Sequence, residues 1–238
     1  MSCLGAFLGL RCITRARAHT GGAKAAWLVV ASVAVGATGI WVMHFVAMLG
    51  FTIPGQQIRY SATVTLISML LAVVVVGIGL FIVGYSDGGA LPVLTGGLII
   101  GIGVATMHYV GMAAMSMQDS TRYNVPLVGV SVLIAIVAGS AALWAGLRVR
   151  GIWSTIIASL VMGVAVTGMH YTGMAAMHVY AGGGGMTLSG ESAESFLLPL
   201  LLGVSIITFL MTLVIALSPT EEEIREDASL DARIRTHT

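Results

Sequence analysis

Charged residues are scarce in this 238-residue chain, since only 9% of its residues are Asp, Glu, Lys or Arg. Soluble domains carry about 25%. A chain so poor in charge cannot cover its surface for water and is predicted to be an integral membrane protein. A net charge of +1 with no basic cluster argues against a nucleic-acid partner. The two cysteines, Cys3 and Cys12, fit neither a disulfide framework nor a zinc site.

Proline and acidic residues are missing from the middle of the long apolar runs. Six runs reach the roughly 20 residues that a membrane-spanning helix needs, and they lie near 27–50, 61–85, 92–117, 126–147, 153–180 and 196–217. The five prolines stand at or beyond the ends of these runs. There they remove no hydrogen bond that lipid cannot replace. The sequence therefore predicts an all-α membrane protein with six complete transmembrane helices.

The first ten residues, MSCLGAFLGL, are apolar but too few to cross a bilayer as a helix. They lack a basic leading region and a clear cleavage site, so they do not resemble a signal peptide. We interpret them as the second half of a further transmembrane helix whose first half is expected upstream.

The basic residues predict the orientation in the membrane. The six-helix arrangement places nine of them on one side: Arg11, Arg15, Arg17, Lys24, Arg148, Arg150, Arg225, Arg233 and Arg235. Only Arg59 and Arg122 fall on the other. By the positive-inside rule the first side is cytoplasmic. We therefore expect a membrane domain at 1–217, an outer loop AGGGGMTLSGESAES, and a charged cytoplasmic tail at 218–238.

One motif recurs three times, as WVMHFVAMLGF at 41–51, ATMHYVGMAAM at 105–115 and TGMHYTGMAAM at 167–177. Its histidines, His44, His108 and His170, are 64 and 62 residues apart. Each interval holds two spans, so the repeat unit is a helical hairpin, present three times. The histidines thus lie on the first, third and fifth spans, which run in the same direction. The rise of an α-helix places all three at similar depth in the outer half of the membrane.

Methionines accompany each histidine. One follows each histidine by four residues, on the same helical face: Met48, Met112 and Met174. Others are expected on that face seven residues after the second and third histidines: Met115 and Met177. A third set directly precedes the histidines on a neighbouring face: Met43, Met107 and Met169. The motif therefore predicts a stripe of imidazole and thioether groups on each odd-numbered span.

These groups predict a copper site. Ionisable side chains inside a membrane are costly and tend to be functional, and soft thioethers beside imidazoles favour copper, especially Cu(I). Zinc fits less well because no thiolate or carboxylate accompanies the histidines. The predicted ligands are the three histidines and the methionines four residues after them, with the remaining motif methionines as secondary candidates. Tyr109, Tyr171 and His178 are secondary candidates too, against the alternatives of ordinary aromatic packing and a solvated interfacial histidine.

Pairs of small residues lie about two turns before each histidine: Ser32 and Gly36, Gly97 and Gly101, Ser159 and Gly163. Such pairs let helix backbones approach closely in lipid. We expect the odd-numbered spans to meet at these pairs, which would turn the histidines inward.

At these motifs the sequence resembles the MHYT domain, a bacterial integral membrane sensor domain. Residues 169–172 read MHYT, 107–110 read MHYV and 43–46 read MHFV. The resemblance covers about residues 1–217, and SCLGAFLGLR at 2–11 is similar to the end of the family's first helix. It implies six or seven helices in a bacterial plasma membrane, with the motifs near the outer face. It also implies one or two copper ions and the sensing of O2, CO or NO.

Many members of that family are fused to cyclic-di-GMP enzymes or histidine kinases, whereas this sequence shows no catalytic domain. We therefore expect no enzymatic activity in this chain and a separately encoded signalling enzyme as its partner. Two alternatives stay open. The histidines could serve a transporter or proton relay, although no acidic residue lies within a span, or they could simply pack in a structural assembly protein.

Overall fold

The computed structural model describes residues 1–54, 57–117, 120–180 and 189–218. Within those ranges six helices are long and apolar enough to cross a bilayer: Gly21–Leu49, Ala62–Gly84, Ala90–Ala113, Val125–Arg148, Ile152–Ala175 and Ser195–Leu217. They confirm the predicted all-α membrane fold with six spans. Residues 181–188 of the predicted outer loop and 219–238 of the predicted tail lie outside the described residues.

The first span is not a uniform α-helix. It consists of α2 (Gly21–Val33), a π-helical segment (Ala34–Trp41) and α3 (Val42–Leu49). The other elements are α1 (Ser2–Ala18), α4 (Ala62–Gly84), α5 (Ala90–Ala113), α6 (Val125–Arg148), α7 (Ile152–Ala175), a π-helical turn (Ala193–Leu197) and α8 (Leu198–Leu217). π-Helical segments within α-helices are rare, and those that occur are often found at functional sites. Nothing in the apolar pattern of the sequence predicts one.

The N-terminal helix α1 is longer than the ten-residue segment that the sequence suggested, since it covers 17 residues. It packs along the first span and α7. At Gly5 its backbone lies directly against the backbone of the π-helical segment, because a Cβ there would overlap atoms of Gly39 and Ala34. The seventh helix is therefore an integral part of the bundle.

The small-residue pairs contact different helices from those we predicted. A Cβ at Gly36 would overlap the backbone of α4, one at Gly101 the backbone of α6, and one at Gly163 the side chain of Cys3 in α1. The expectation that these pairs join the odd-numbered spans is therefore wrong. Helices that are consecutive in the chain pack side by side and contact Gly36 and Gly101, whereas α1 packs against α7 and contacts Gly163.

Short strands tie together the connections at the histidine end of the bundle. They are β1 (Arg59–Tyr60), β2 (Met115–Ser116), β3 (Ser120–Tyr123), β4 (Met177–Tyr180) and β5 (Glu191–Ser192). β1 pairs antiparallel with both β2 and β5, and β3 pairs with β4. α5 and α7 consequently end before these strands, several residues earlier than predicted.

The strands correct one part of the predicted stripe. Met115 lies in β2 opposite Tyr60, and Met177 lies in β4 opposite Tyr123. Neither continues the helical face of its histidine, so their predicted position on that face is wrong. The physical reason is that their backbones pair with neighbouring strands where the chain turns back, and side chains then alternate with the period of a strand.

Candidate metal centre

Three helices bring the motif histidines to one level. His44 lies five residues before the end of α3 at Leu49, and His108 and His170 have the same separation from the ends of α5 and α7. The chain reaches each helix end in the same direction, so equal separations place the three rings at the same depth. All three side chains are buried, with exposed fractions of 0–1%.

The Nδ1 atoms of the three rings point at one another. They are 3.1 Å apart between His44 and His170, 3.2 Å between His108 and His44, and 3.3 Å between His170 and His108. The rings stand nearly perpendicular, with interplanar angles of 79–89°. The arrangement is a triangle of ring nitrogens, which we call the histidine triad. Within the described ranges it forms a group of three potential metal ligands.

Hydrogen bonding cannot satisfy this triangle. A neutral imidazole has one N–H donor and one accepting nitrogen. A protonated Nδ1 has no lone pair left to accept with, so three such atoms make at most two hydrogen bonds along three sides. One side always brings together two lone pairs or two protons. The geometry therefore favours a shared electrophile at the centre over a ring of hydrogen bonds.

A metal ion fits that centre. The centre of a triangle with sides of 3.1–3.3 Å lies about 1.8 Å from each nitrogen, and a zinc–imidazole bond is about 2.0–2.1 Å long. These two lengths are close, so the three Nδ1 atoms could hold one ion together. Three neutral nitrogen donors also suit a borderline or soft ion.

The opposite nitrogens of two rings face glycines of the next repeat. A Cβ on Gly111 would overlap Nε2 of His44, and a Cβ on Gly173 would overlap Nε2 of His108. Both nitrogens are buried and have no hydrogen-bond partner among the described residues. A buried unpaired polar atom costs about 1–3 kcal/mol. Close helix packing, rather than a bond to Nε2, therefore holds these rings in place.

These glycines are residues that the sequence reasoning missed. Each lies three residues after its own histidine, at Gly111 and Gly173, and the first repeat has Ala47 there. The signal was present in the repeat, because the motif reads MHYVGM and MHYTGM. What the sequence does not reveal is that each glycine accommodates the histidine of another repeat.

The predicted methionine ligands lie one helical turn closer to the helix ends than their histidines. Met48 and Met112 are buried and Met174 is half-buried. Among the methionines that precede the histidines, Met107 and Met169 are buried and Met43 is half-buried. Their part in binding a metal stays a prediction.

The tyrosines beside the triad have other contacts. The Tyr109 hydroxyl is 2.8 Å from Oγ of Ser131 in α6, so it joins two helices rather than reaching the triad. Tyr171 is 58% exposed. Both rings nevertheless pack edge-on against the neighbouring imidazole, with centroids 4.9 Å and 5.1 Å away. The geometry therefore favours aromatic packing for both residues.

His178 is exposed in β4 and lies opposite Arg122, outside the group of potential ligands. It fits the alternative of a solvated interfacial side chain.

Another aromatic residue, Tyr60 in β1, closes the strand-covered end above α3. Its hydroxyl donates to the Met48 carbonyl at 3.5 Å, and burial raises the pKa of Tyr60 to about 12. The phenol therefore stays neutral, and the sequence reasoning did not single it out.

The fold and the site define a multi-pass helical membrane domain with a buried histidine triad near one end. The family profile described as "MHYT: Bacterial signalling protein N terminal repeat" matches residues 38–96 and 101–159. The chain belongs to the MHYT family of bacterial signalling proteins. The two matched segments contain His44 and His108, and the motif around His170 lies beyond them as a third copy of the hairpin motif.

Relatives of the chain are signalling proteins. It is 43% identical over 155 residues to the bifunctional diguanylate cyclase/cyclic di-GMP phosphodiesterase MucR of Pseudomonas aeruginosa, over 63% of this chain. It is 40% identical over 173 residues to the cyclic di-GMP phosphodiesterase NbdA of the same organism, over 70% of this chain. It is 31% identical over 183 residues to the signaling protein YkoW of Bacillus subtilis, over 74% of this chain.

The aligned region spans 22% of the length of each of these three relatives. No solved structure matches the chain.

Proposed function

We propose that the chain is the sensory domain of a membrane signalling system, that its histidine triad binds one copper ion, and that a diatomic gas such as O2, CO or NO is the signal. The observation that carries the proposal is the triangle of three Nδ1 atoms 3.1–3.3 Å apart inside the bundle. Copper would supply an open coordination position for a gas. Met48, Met112 and Met174 are the thioether ligands of the proposal.

The proposed orientation puts the triad near the outer face and the C-terminus in the cytoplasm. Basic residues gather at the opposite end from the triad. There the Arg17 guanidinium donates to the Leu147 carbonyl at 2.9 Å, which brings together the ends of α1 and α6. By the positive-inside rule this end faces the cytoplasm. Relatives that carry cyclic-di-GMP activities support a partner of that class on the same side.

One contact connects the first span to the last helix, and a second connects α1 to the last helix. Thr38, in the π-helical segment six residues before His44, has its Oγ1 2.7 Å from Oγ1 of Thr208 in α8, and both side chains are buried. At the far end of α8 the buried Arg15 donates to the carbonyl of Ile215 at 2.5 Å. A change in the position of His44 would therefore bear on α8, the helix that leads towards the C-terminus.

We expect purified protein to bind one copper ion per chain, and each of the variants His44→Ala, His108→Ala and His170→Ala to lose it. Changes around metal ligands typically cost about 10- to 100-fold in affinity, and the loss of a ligand from a three-nitrogen site should cost more. Metal analysis and competition with a chelator measure the effect. The matched control is His178→Ala, which removes an exposed histidine of the same motif region and should retain copper.

The same experiment separates the alternatives. A folded wild-type protein without copper that moves protons or ions into vesicles would contradict the sensor and favour the relay. A folded protein with neither property would favour simple packing. Equal copper loss in the His178→Ala control would contradict the triad as the binding site.

We expect Thr208→Val to uncouple α8 from the copper site while copper still binds. Side-chain hydrogen bonds inside membrane proteins contribute about 0.6 kcal/mol on average, so the bundle should stay folded. Hydrogen exchange of α8 should respond to copper in the wild type and lose most of that response in the variant. Ser205→Ala is the control, because the Ser205 hydroxyl donates within its own helix, to the Leu201 carbonyl. If the hydrogen exchange of α8 responds to copper in Thr208→Val as it does in the wild type, the Thr38–Thr208 contact does not connect α8 to the copper site.

A further inference from the structure

An internal cavity of about 60 Å³ lies along the axis of the bundle, on the side of the triad away from the strands. Its walls come from α1, the first span, α4, α5, α6 and α7, and every side chain that lines it is apolar. Internal space of this kind is costly for a packed protein, because wall atoms lose their contacts. The cavity therefore needs an explanation in terms of either packing or function.

One helix face creates the space. Ala135, Ala138, Gly139 and Ala142 line the cavity from α6, at the spacing of residues that share a helical face. Larger wall residues, such as Leu143 on the same helix, stand beside them. A leucine or isoleucine at one of the small positions would fill the space, and the apolar composition of the span would permit it.

The cavity ends next to the triad. Ile40 and Val104 line it and precede His44 and His108 by four residues, one helical turn. Met169 lines it too and is the residue directly before His170. All three helices of the triad therefore contribute a wall residue within one turn of the imidazoles.

At its other end the cavity shares walls with a wider one. Ile13, Leu80 and Leu143 line both the core cavity and a cavity of about 370 Å³ at the basic end of the bundle, which has exposed Arg17 and Arg148 at its edge. The apolar core cavity therefore adjoins, through these shared apolar walls, a wider and partly polar space at the basic end of the bundle.

The chemistry of the walls selects the occupant. A space needs only about 10–15 Å³ to hold a water molecule, but the water also needs two to four polar partners. Apolar cavities stay dry and bind small apolar molecules such as xenon. The side chains that line this cavity offer no polar group. An ion that entered would lose its hydration and find no polar partner, whereas a small uncharged gas loses little hydration when it enters.

We infer that the core cavity is a binding site for a small apolar gas and the route by which the gas reaches the triad. This inference rests on the proposed function for the identity of the gas as signal, but the cavity site itself is independent of copper. The bundle would concentrate the gas one helical turn from the imidazoles.

The test of the site uses xenon on the copper-free 238-residue chain with carbon-13 in its methionine methyl groups. Met162 and Met169 line the cavity, so their methyl resonances should shift with xenon pressure and saturate. Met211 in α8 lies outside the cavity walls and should show only the linear shift of xenon dissolved in the surrounding detergent or lipid. Linear responses from all three in the wild type would overturn the inference without reference to any variant.

The matched comparison is between a variant that fills the cavity and one that adds the same side chain outside it. Ala135→Leu places three more carbons at a buried wall position and should abolish the saturable response. Ala141→Leu makes the same change on the exposed face of α6 and should retain it. Should Ala135→Leu fail to fold, Ala138→Val at another wall position provides the comparison. Saturable binding that survives in the filled variant would overturn the assignment to this cavity.

The role as a route is tested with carbon monoxide on the copper-loaded protein. CO binding should be about ten-fold slower in Ala135→Leu than in Ala141→Leu, at equal copper content. Equal CO binding rates in the two variants, although Ala135→Leu has lost the xenon site, would overturn the role of the cavity as a route. Protein that binds no copper but keeps the xenon site would contradict the proposed function alone.

Discussion

Gly173→Ala should dismantle the histidine triad while the bundle stays folded. A Cβ at this position would lie closer than 3.0 Å to Nε2 of His108, a separation that real Cβ atoms essentially never show. The His108 imidazole is fully buried, so the ring can make room for the methyl group only by moving as a whole, and that movement displaces its Nδ1 from the triangle. We expect copper affinity to fall by about 100-fold, comparable with the larger effects of changes around metal ligands. Competition with a chelator measures it.

The control lies on the same helix. Gly168→Ala adds the same methyl group five residues earlier, where nothing lies within 4 Å. It should bind copper like the wild type and gain roughly 0.5–1 kcal/mol of stability, since alanine is the better helix former. Gly111→Ala should repeat the effect of Gly173→Ala through His44. Wild-type affinity in both Gly111→Ala and Gly173→Ala would show that the triad geometry does not control the metal.

The six spans were predictable because two physical requirements leave few alternatives. A chain with 9% charged residues must be buried in lipid, and lipid requires helices of about 20 apolar residues. The juxtaposition of His44, His108 and His170 followed from the same reasoning. A hairpin repeat returns each motif to the same side of the membrane, and equal positions along parallel helices give equal depth.

The details of helix contact could not be read from the motif. The glycine of Ser32–Gly36 was expected to face another odd-numbered span, but it faces α4. A small residue indicates that some backbone approaches closely without indicating which one. At Gly173 the approaching group is an imidazole, a contact between repeats that sequence spacing cannot specify.

The ends of the helices were missed for a related reason. Met115 and Met177 continue an apolar pattern, so the sequence extended α5 and α7 through them. In the structure, backbone pairing with β1 and β3 decides where the helices end. Such pairing depends on residues far away in the chain, as in the Ser61 N–H that donates to the Ala114 carbonyl at 2.8 Å.

Gly5→Ala should produce the largest loss of stability among single methyl additions in α1. A Cβ at Gly5 would lie closer than 3.0 Å to the backbone N and Cα of Gly39 and to the carbonyl oxygen of Ala34. Backbone atoms cannot rotate away as a side chain can, so α1 must separate from the π-helical segment. Overpacking typically costs about 1–3 kcal/mol. At the upper end of that range, the melting temperature should fall by about 6–12 °C.

Thermal unfolding in detergent measures this loss, and the decisive result is whether the melting temperature falls or rises. Gly203→Ala in α8, where nothing lies within 4 Å, is the control and should be stabilised by the better helix propensity of alanine. Two Gly→Ala changes in membrane helices are thus expected to have opposite signs. Because Gly39 lies five residues before His44, Gly5→Ala should also weaken copper binding, by less than Gly173→Ala does. A stabilised Gly5→Ala protein would contradict the close packing of α1 on the first span, and with it the support that α1 gives to the triad.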